Sequence, residues 1–280
     1  MPYAQVLTTA NKASLTGGAF ADTLTANSGD SLAVANFNTG GARVLEAWAI
    51  DNASVLEISW VFTRPESTHD QQRGIRRMIP GTTYGAVAAR GALPLLAGDE
   101  TINLFKSDVG TITVSGTASD NVVMSYVTEY DDLPGASAVF INAAQAQGLQ
   151  KSALGIRVDA VASGTAGAYG ATRAINADDD RLHANTWYAI LGWTTQIAVT
   201  TVSMIGPDWG GQRIGGPGGV MMQMSDTWFL DQSIKWGQKP LIPCFNSNNK
   251  GNVLIQVADD ATSTSPKIDF SLYELTGQPG

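Results

Sequence analysis

The groups in this chain best suited to chemistry are few. They are two histidines, His69 and His183, one cysteine, Cys244, and runs of aspartate at Asp131–Asp132, Asp178–Asp180 and Asp259–Asp260. A nitrogen-ligated metal centre needs several histidines gathered on neighbouring strands. Two, at unrelated places, do not supply one. A Ser-His-Asp triad would have to use one of the same two, and no G-x-S-x-G turn is present. A carboxylate pair for glycoside hydrolysis can be assembled from distant strands. Here Glu46 and Glu57 lie in expected strands of the first half, and the second half has no glutamate before Glu274. The expectation is that the chain is not an enzyme.

Three features remain as binding candidates. Asp178, Asp179 and Asp180 offer hard oxygen ligands of the kind Ca²⁺ takes, though without EF-hand spacing. Solvated turn residues are the plainer reading. Arg73, Arg76 and Arg77 lie close together and can meet carboxylates of a neighbouring subunit or phosphate. Of the tryptophans, Trp209 stands in a Gly-rich stretch and is expected to be exposed. The others fall at positions suited to a core or a subunit contact. Cys244 is expected to be a small buried hydrophobe. No cofactor is called for.

Composition narrows the field further. The formal net charge is −8, so phosphate-backbone affinity is not expected, nor is sequence-specific nucleic-acid binding. Charged residues are only 15% and hydrophobic residues 44%, which leaves broad uncharged faces able to pack against neighbours at small desolvation cost. One cysteine cannot form a disulfide framework. The first residues lack the basic-then-apolar pattern of a signal peptide, and no apolar run reaches membrane-spanning length.

The elements that must carry these residues repeat. Ala42–Pro65 and Tyr188–Pro207 each hold two apolar strand-like runs parted by a polar break, and each ends in Pro. Upstream, Gly29–Phe37 faces Asp179–Trp187. Downstream, Gln72-Arg73 faces Gln212-Arg213, Thr83-Tyr84 faces Thr227-Trp228, and Gly91 and Pro94 face Gly237 and Pro240. Gly110–Gly116 faces Gly251–Val257, and Met124–Tyr130 faces Phe270–Thr276. The order of so many features at one separation indicates two copies of one all-β unit. Arg64–Gly81 and Gly206–Gly219 are expected as loops. Asp30–Phe37 is expected as a weak strand, and strands are expected at Leu182–Leu191 and Thr195–Ile205. Tyr84–Arg90 and Thr227–Trp236 are expected as short helices, with Leu230 and Ile234 as a buried stripe in the second. Short strands, Gly-rich turns and no βα alternation point to sandwiches. The expected layout is an arm over 1–24, a first jelly roll over 25–135, a linker over 136–154 that can be helical, and a second jelly roll over 155–280.

A doubled sandwich with these repeated strand pairs and no catalytic constellation resembles the double jelly-roll major capsid proteins of tailless icosahedral viruses with an internal membrane, of the PRD1 and PM2 type. The pairs that carry the resemblance are Val44–Phe62 with Tyr188–Ile205 and Asn121–Tyr130 with Lys267–Leu275. It covers roughly residues 20–278 and rests on architecture, with no short diagnostic motif. The resemblance implies two tandem jelly rolls, each with a short inserted helix, and a pseudo-hexagonal homotrimer that tiles an icosahedral virion shell. It also implies penton or minor capsid proteins as partners, contact with the internal membrane through residues 1–24, Ca²⁺ between some subunits, and Arg73, Arg76, Arg77 and Trp209 at interfaces. A carbohydrate-binding or glycan-hydrolysing sandwich protein and a phage tail or spike component are the rival readings.

Overall fold

The computed structural model of the chain describes residues 3–51, 57–64, 73–78, 93–96, 100–134, 139–195, 199–218, 225–259 and 265–279. The first half carries β1 (Ala4–Lys12), β2 (Gly18–Thr23), β3 (Thr25–Ala26), β4 (Ala42–Asp51), β5 (Glu57–Thr63), β6 (Arg73–Met78), β7 (Leu93–Pro94), β8 (Ile102–Leu104), β9 (Val109–Gly116) and β10 (Val122–Tyr130). The second half opens with β11 (Phe140–Ile141), helix α1 (Ala143–Leu149), β12 (Gln150–Asp159) and β13 (Arg173–Ala174). It continues with β14 (Trp187–Thr195), β15 (Val199–Ile205), β16 (Arg213–Pro217), helix α2 (Trp228–Lys235), β17 (Ile242–Asn246), β18 (Leu254–Asp259) and β19 (Lys267–Leu275).

Among the described residues these strands form four antiparallel sheets, two to each half. In the first half they run β3-β1-β10-β4-β7, with β8 also on β4, and β2-β9-β5-β6. In the second they run β11-β17-β14-β19-β12 and β13-β18-β15-β16. With the two-residue β3 and β11 set aside, and β7 and β8 counted as one interrupted strand because both pair with β4, eight strands in each half divide the same way. The first, eighth, third and sixth make one sheet, and the second, seventh, fourth and fifth make the other. That is jelly-roll order, so the chain is a double jelly roll.

Alternation explains each core. In β5, Ile58, Trp60 and Phe62 are fully buried while the residues between them are half-buried. This is the signature of a strand with one face on the core. Trp60 packs on Phe62 and Tyr126, with ring centroids 5.0 and 4.7 Å away. The second core centres on Trp193, which packs against Phe229 of α2 and Phe270 of β19. Truncating any of these large rings would cost about 3–5 kcal/mol.

Helix α1 starts where Asn142 and Gln145 form a capping box, each side chain accepting from the other's backbone N–H. Helix α2 stops at Gly237, whose φ of +72° suits glycine. It buries Trp228, Phe229 and Ser233. The expected stripe is shifted: Leu230 is only partly buried and Ile234 is exposed, because the sheet meets the adjacent helix face.

Several other expectations need correction. Residues expected as an arm are sheet: β1 pairs with β10 along its full length, so roll one begins at Ala4. The alternation is visible in Leu7 and Ala10, but Thr, Asn and Ala mask it. β12 pairs with β19, so the second roll begins inside the expected linker. Both expected loops contain a strand, β6 and β16, each paired with its preceding strand. Asp30–Phe37 makes only an isolated bridge at Ala33, and Leu182–Thr186 precedes β14 instead of belonging to it. The proposed helix Tyr84–Arg90 and the pair Thr83-Tyr84 lie outside the described residues.

Two pairings within the repeat are out of step, since matching Gly74 to Gly215 also puts Arg73 on Ile214 and not on Arg213. A Cβ on Gly74 would sit 1.9 Å from the Trp60 carbonyl oxygen, and one on Gly215 would sit 2.0 Å from that of Val202. These matched close approaches align Trp60 with Val202. Their cross-strand partners are Ile112 and Val257. Gly110–Gly116 therefore corresponds to a segment four residues later than Gly251–Val257.

Candidate assembly interface

One sheet of each roll is pressed against the other roll. All nine residues of β10 are buried, although a sheet with one free face would bury only alternate ones. One of its faces lines the first core. The other, with β1 and β4, covers β15 and β16 of the second roll. Leu7, Trp48 and Val127 thereby join the second roll's hydrophobic cluster. Trp48 meets Trp228 edge to face at 6.0 Å.

Hydroxyls and amides stitch this seam. Ser125 Oγ lies 2.8 Å from both Thr9 Oγ1 and Thr201 Oγ1. The Tyr169 hydroxyl donates to Thr9 Oγ1 at 2.8 Å. Gln5 Nε2 donates to the Leu241 carbonyl, Asn11 Nδ2 to that of Ala166, and Asn27 Nδ2 to that of Gly167. These buried hydroxyls and amides are tolerable because each of them finds a partner.

Three ion pairs cross the seam. Glu46 meets Lys235. Glu129 meets Lys239 and also Arg43 of its own roll. Arg213, at the start of β16, meets Asp30 at 2.8 Å, with side chains only 9% and 1% exposed. Arg213 also donates to Ser203 and Gln256 and stacks 4.4 Å from the centre of the Tyr169 ring. Asp30 accepts the Thr9 backbone N–H. Burial pushes the Asp30 carboxyl up to about 6, against the pull of Arg213 and Thr9. Burial likewise raises Glu46, opposed by Lys235.

The aspartate run does different work from metal binding. Asp178 accepts the Asp159 backbone N–H at 2.9 Å and pairs with Arg173. Asp179 pairs with Arg181 at 2.5 Å and takes a backbone hydrogen bond from Arg157. Arg181 in turn donates to the Gly155 carbonyl. Asp180 pairs with Lys250 at 2.5 Å. The matching cation holds each carboxyl below its ordinary range. Each carboxylate thus has its own cation and the three do not converge. Among the described residues no cluster of three His, Cys, Asp or Glu could hold a metal ion. Asp178, Asp179 and Arg181 instead satisfy the free edge of β12, which would otherwise present open N–H and C=O groups.

The remaining candidates are separated. Trp209 is fully buried, with Nε1 donating to the Cys244 carbonyl at 2.9 Å, so it is a core residue and not an exposed platform. The glycines around it allow a tight turn, a pattern that sequence cannot tell from an open loop. Cys244 is buried, and burial raises its thiol well above the ordinary value. Arg73, Arg76 and Arg77 lie on β6, an edge strand of the first roll. His183 is exposed and 3.3 Å from Glu274, which also binds Lys151 and Ser152. His69 lies outside the described residues. The seam residues Asp30, Glu129 and Ser125 were missed as a site, because nothing local marks a residue as facing a second domain.

No protein-family profile matches the chain, and no curated protein does. Among solved structures, a recombinant N-glycanase F (PNGase F) aligns over 99% of this chain and 97% of its own, at 8% identity and a TM-score of 0.22. A likeness that low carries no argument.

Proposed function

We propose that the chain is a shell-building subunit, the major capsid protein of an icosahedral virion, acting as a pseudo-hexagonal homotrimer. The observation that carries this reading is the seam. It joins two like rolls through unlike faces, and so leaves on each roll a sheet face, of the kind the seam has buried on the other, that no described element of the other roll covers. A protein built for catalysis or for a single ligand has no need of two such faces. A shell works through many modest contacts made together, and joining two rolls in one chain halves the bodies that must be ordered. Minor capsid or penton proteins and an internal membrane are the further partners of this reading, with the virion as its location.

The test is oligomeric mass at neutral pH by light scattering on a sizing column. A species of three times 29.4 kDa that survives dilution, or a larger shell, is expected. A monomer at all concentrations refutes the reading.

A further inference from the structure

Of the seven tryptophans, five are buried, and the two that are half-buried differ. Trp236 has Lys235 over its ring at 4.9 Å and donates its indole N–H to Gln232. Trp187 rests on the second core and also lines a surface cleft of about 470 Å³. That volume falls within the usual range of small-ligand clefts, about 300–1,000 Å³. The cleft lies at one end of the second roll's larger sheet, where β12 and β14 begin and β17 and β19 end. Strand ends hold side chains more firmly than a free loop does.

The lining beside Trp187 is polar and held in place. Asn246 stands directly across from it on β17. Asn185 has a left-handed backbone, with φ of +54°, which asparagine accepts more readily than most residues. Its side-chain oxygen accepts from Asn248 Nδ2 at 3.0 Å. Thr186, between Asn185 and Trp187, donates its backbone N–H to Ser247 Oγ and accepts the Ser247 backbone N–H. Glu274 also borders the cleft, with its side chain only 6% exposed. Lys151 at 2.6 Å and Ser152 at 2.8 Å fix its carboxylate. The cleft thus offers an aromatic ring, amides that both donate and accept, and an acceptor-only carboxylate. The Lys151 and Glu274 charges offset each other, so nothing in this set selects a charged ligand.

We propose that this cleft binds a neutral oligosaccharide, with Trp187 against the C–H face of a sugar ring and Asn185, Asn246 and Glu274 taking its hydroxyls. A flat aromatic ring suits the apolar face of a sugar. Each sugar hydroxyl both donates and accepts, which amides and a carboxylate can meet together. This goes beyond the shell-building role and does not depend on it.

The experiment is isothermal titration calorimetry of the full chain with maltotetraose, cellotetraose and chitotetraose. Saturable binding of at least one is expected. Chitotetraose carries acetamido groups that the glucose chains lack, so the ranking tells an amino-sugar chain from a glucan. Trp187→Ala should weaken the binding about tenfold or more, while Trp187→Phe, which keeps a ring, should stay within about threefold. Trp187 also touches the core, so a variant at an exposed position is needed beside it. Asn185→Gly keeps the left-handed backbone and removes the amide. It should retain the native circular dichroism spectrum and bind several-fold more weakly. No saturable binding of any of the three up to millimolar concentration overturns the site. Binding that Trp187→Ala and Asn185→Gly both leave unchanged puts the sugar elsewhere and overturns it too. Binding of a heparin tetrasaccharide alone, run alongside, overturns the assignment to a neutral ligand. A trimer that binds no sugar removes this inference and leaves the shell reading standing, and a monomer that binds sugar does the reverse.

Discussion

Replacing Arg213 by Met would test whether the seam depends on its buried ion pair. Met fills similar volume, so packing changes little and the charge change dominates. Asp30 would be left 1% exposed with no cation at 2.8 Å. Removing one partner of a buried pair costs about 3–5 kcal/mol. Asp30 has an escape, which is to take up a proton. Its folded value of about 6 lies above its ordinary 3.8, so the native state binds more protons than the unfolded chain between those values. The stability the group contributes is therefore greatest at low pH and falls as pH rises through 6. At pH 8, protonating Asp30 costs about 1.4 kcal/mol for each pH unit above its folded value, so roughly 3 kcal/mol. The lost hydrogen bonds of Arg213 to Ser203 and Gln256 add about 1–2 kcal/mol. Wild-type Asp30 is already mostly neutral at pH 5, so there the deficit should shrink to about 1–2 kcal/mol. Urea unfolding followed by tryptophan fluorescence at both pH values measures this directly. A deficit below about 1 kcal/mol at pH 8, or one equal at the two pH values, refutes the reasoning. The double variant Asp30→Asn with Arg213→Met should show a smaller loss that hardly varies with pH.

Other outcomes follow from single features. Gly215→Ala should destabilise by about 1–3 kcal/mol in chemical denaturation, since its Cβ would meet the Val202 carbonyl at 2.0 Å. Lys151, Ser152 and His183 hold the Glu274 carboxyl down to about 2, a depressed value whose stabilisation is present above pH 4.5 and lost as pH falls to 2. Glu274→Gln should accordingly melt below wild type at pH 6, with the gap closing near pH 2 in thermal scans. The Cys244 thiol should resist a thiol reagent in the native protein and react fully in denaturant. Ca²⁺ or chelator should leave the melting temperature unchanged if Asp178, Asp179 and Asp180 work as the ion-paired edge described above.

The sequence carried much of the fold because the repeated strands keep a period of two and their turns are marked by Gly, Pro and Asp. Lys267–Leu275 was legible to the residue. β1 was not, since Thr8, Thr9 and Asn11 look like tail residues until a second roll covers them. β6 and β16 were not, because arginines and glycines describe an edge strand and a loop equally well. The seam was invisible for a related reason. Asp30 and Arg213 are 183 positions apart, and only the packed structure shows that each completes the other. Trp209 was misplaced because its glycine neighbours signal a turn without saying which way the ring points.

Strand order also sets a schedule for synthesis. β1 finds its long partner only in β10, and β12 only in β19. Each roll therefore waits for its last strand before its larger sheet can form, a long-range closure that slows folding. The two closures do not interleave, because the described strands of the first roll end at Tyr130 and those of the second begin at Phe140. A nascent chain can thus finish its first roll while the second is still being translated. During that interval Leu7, Trp48 and Val127 have nothing over them, and the emerging second roll is the molecule's own first chaperone.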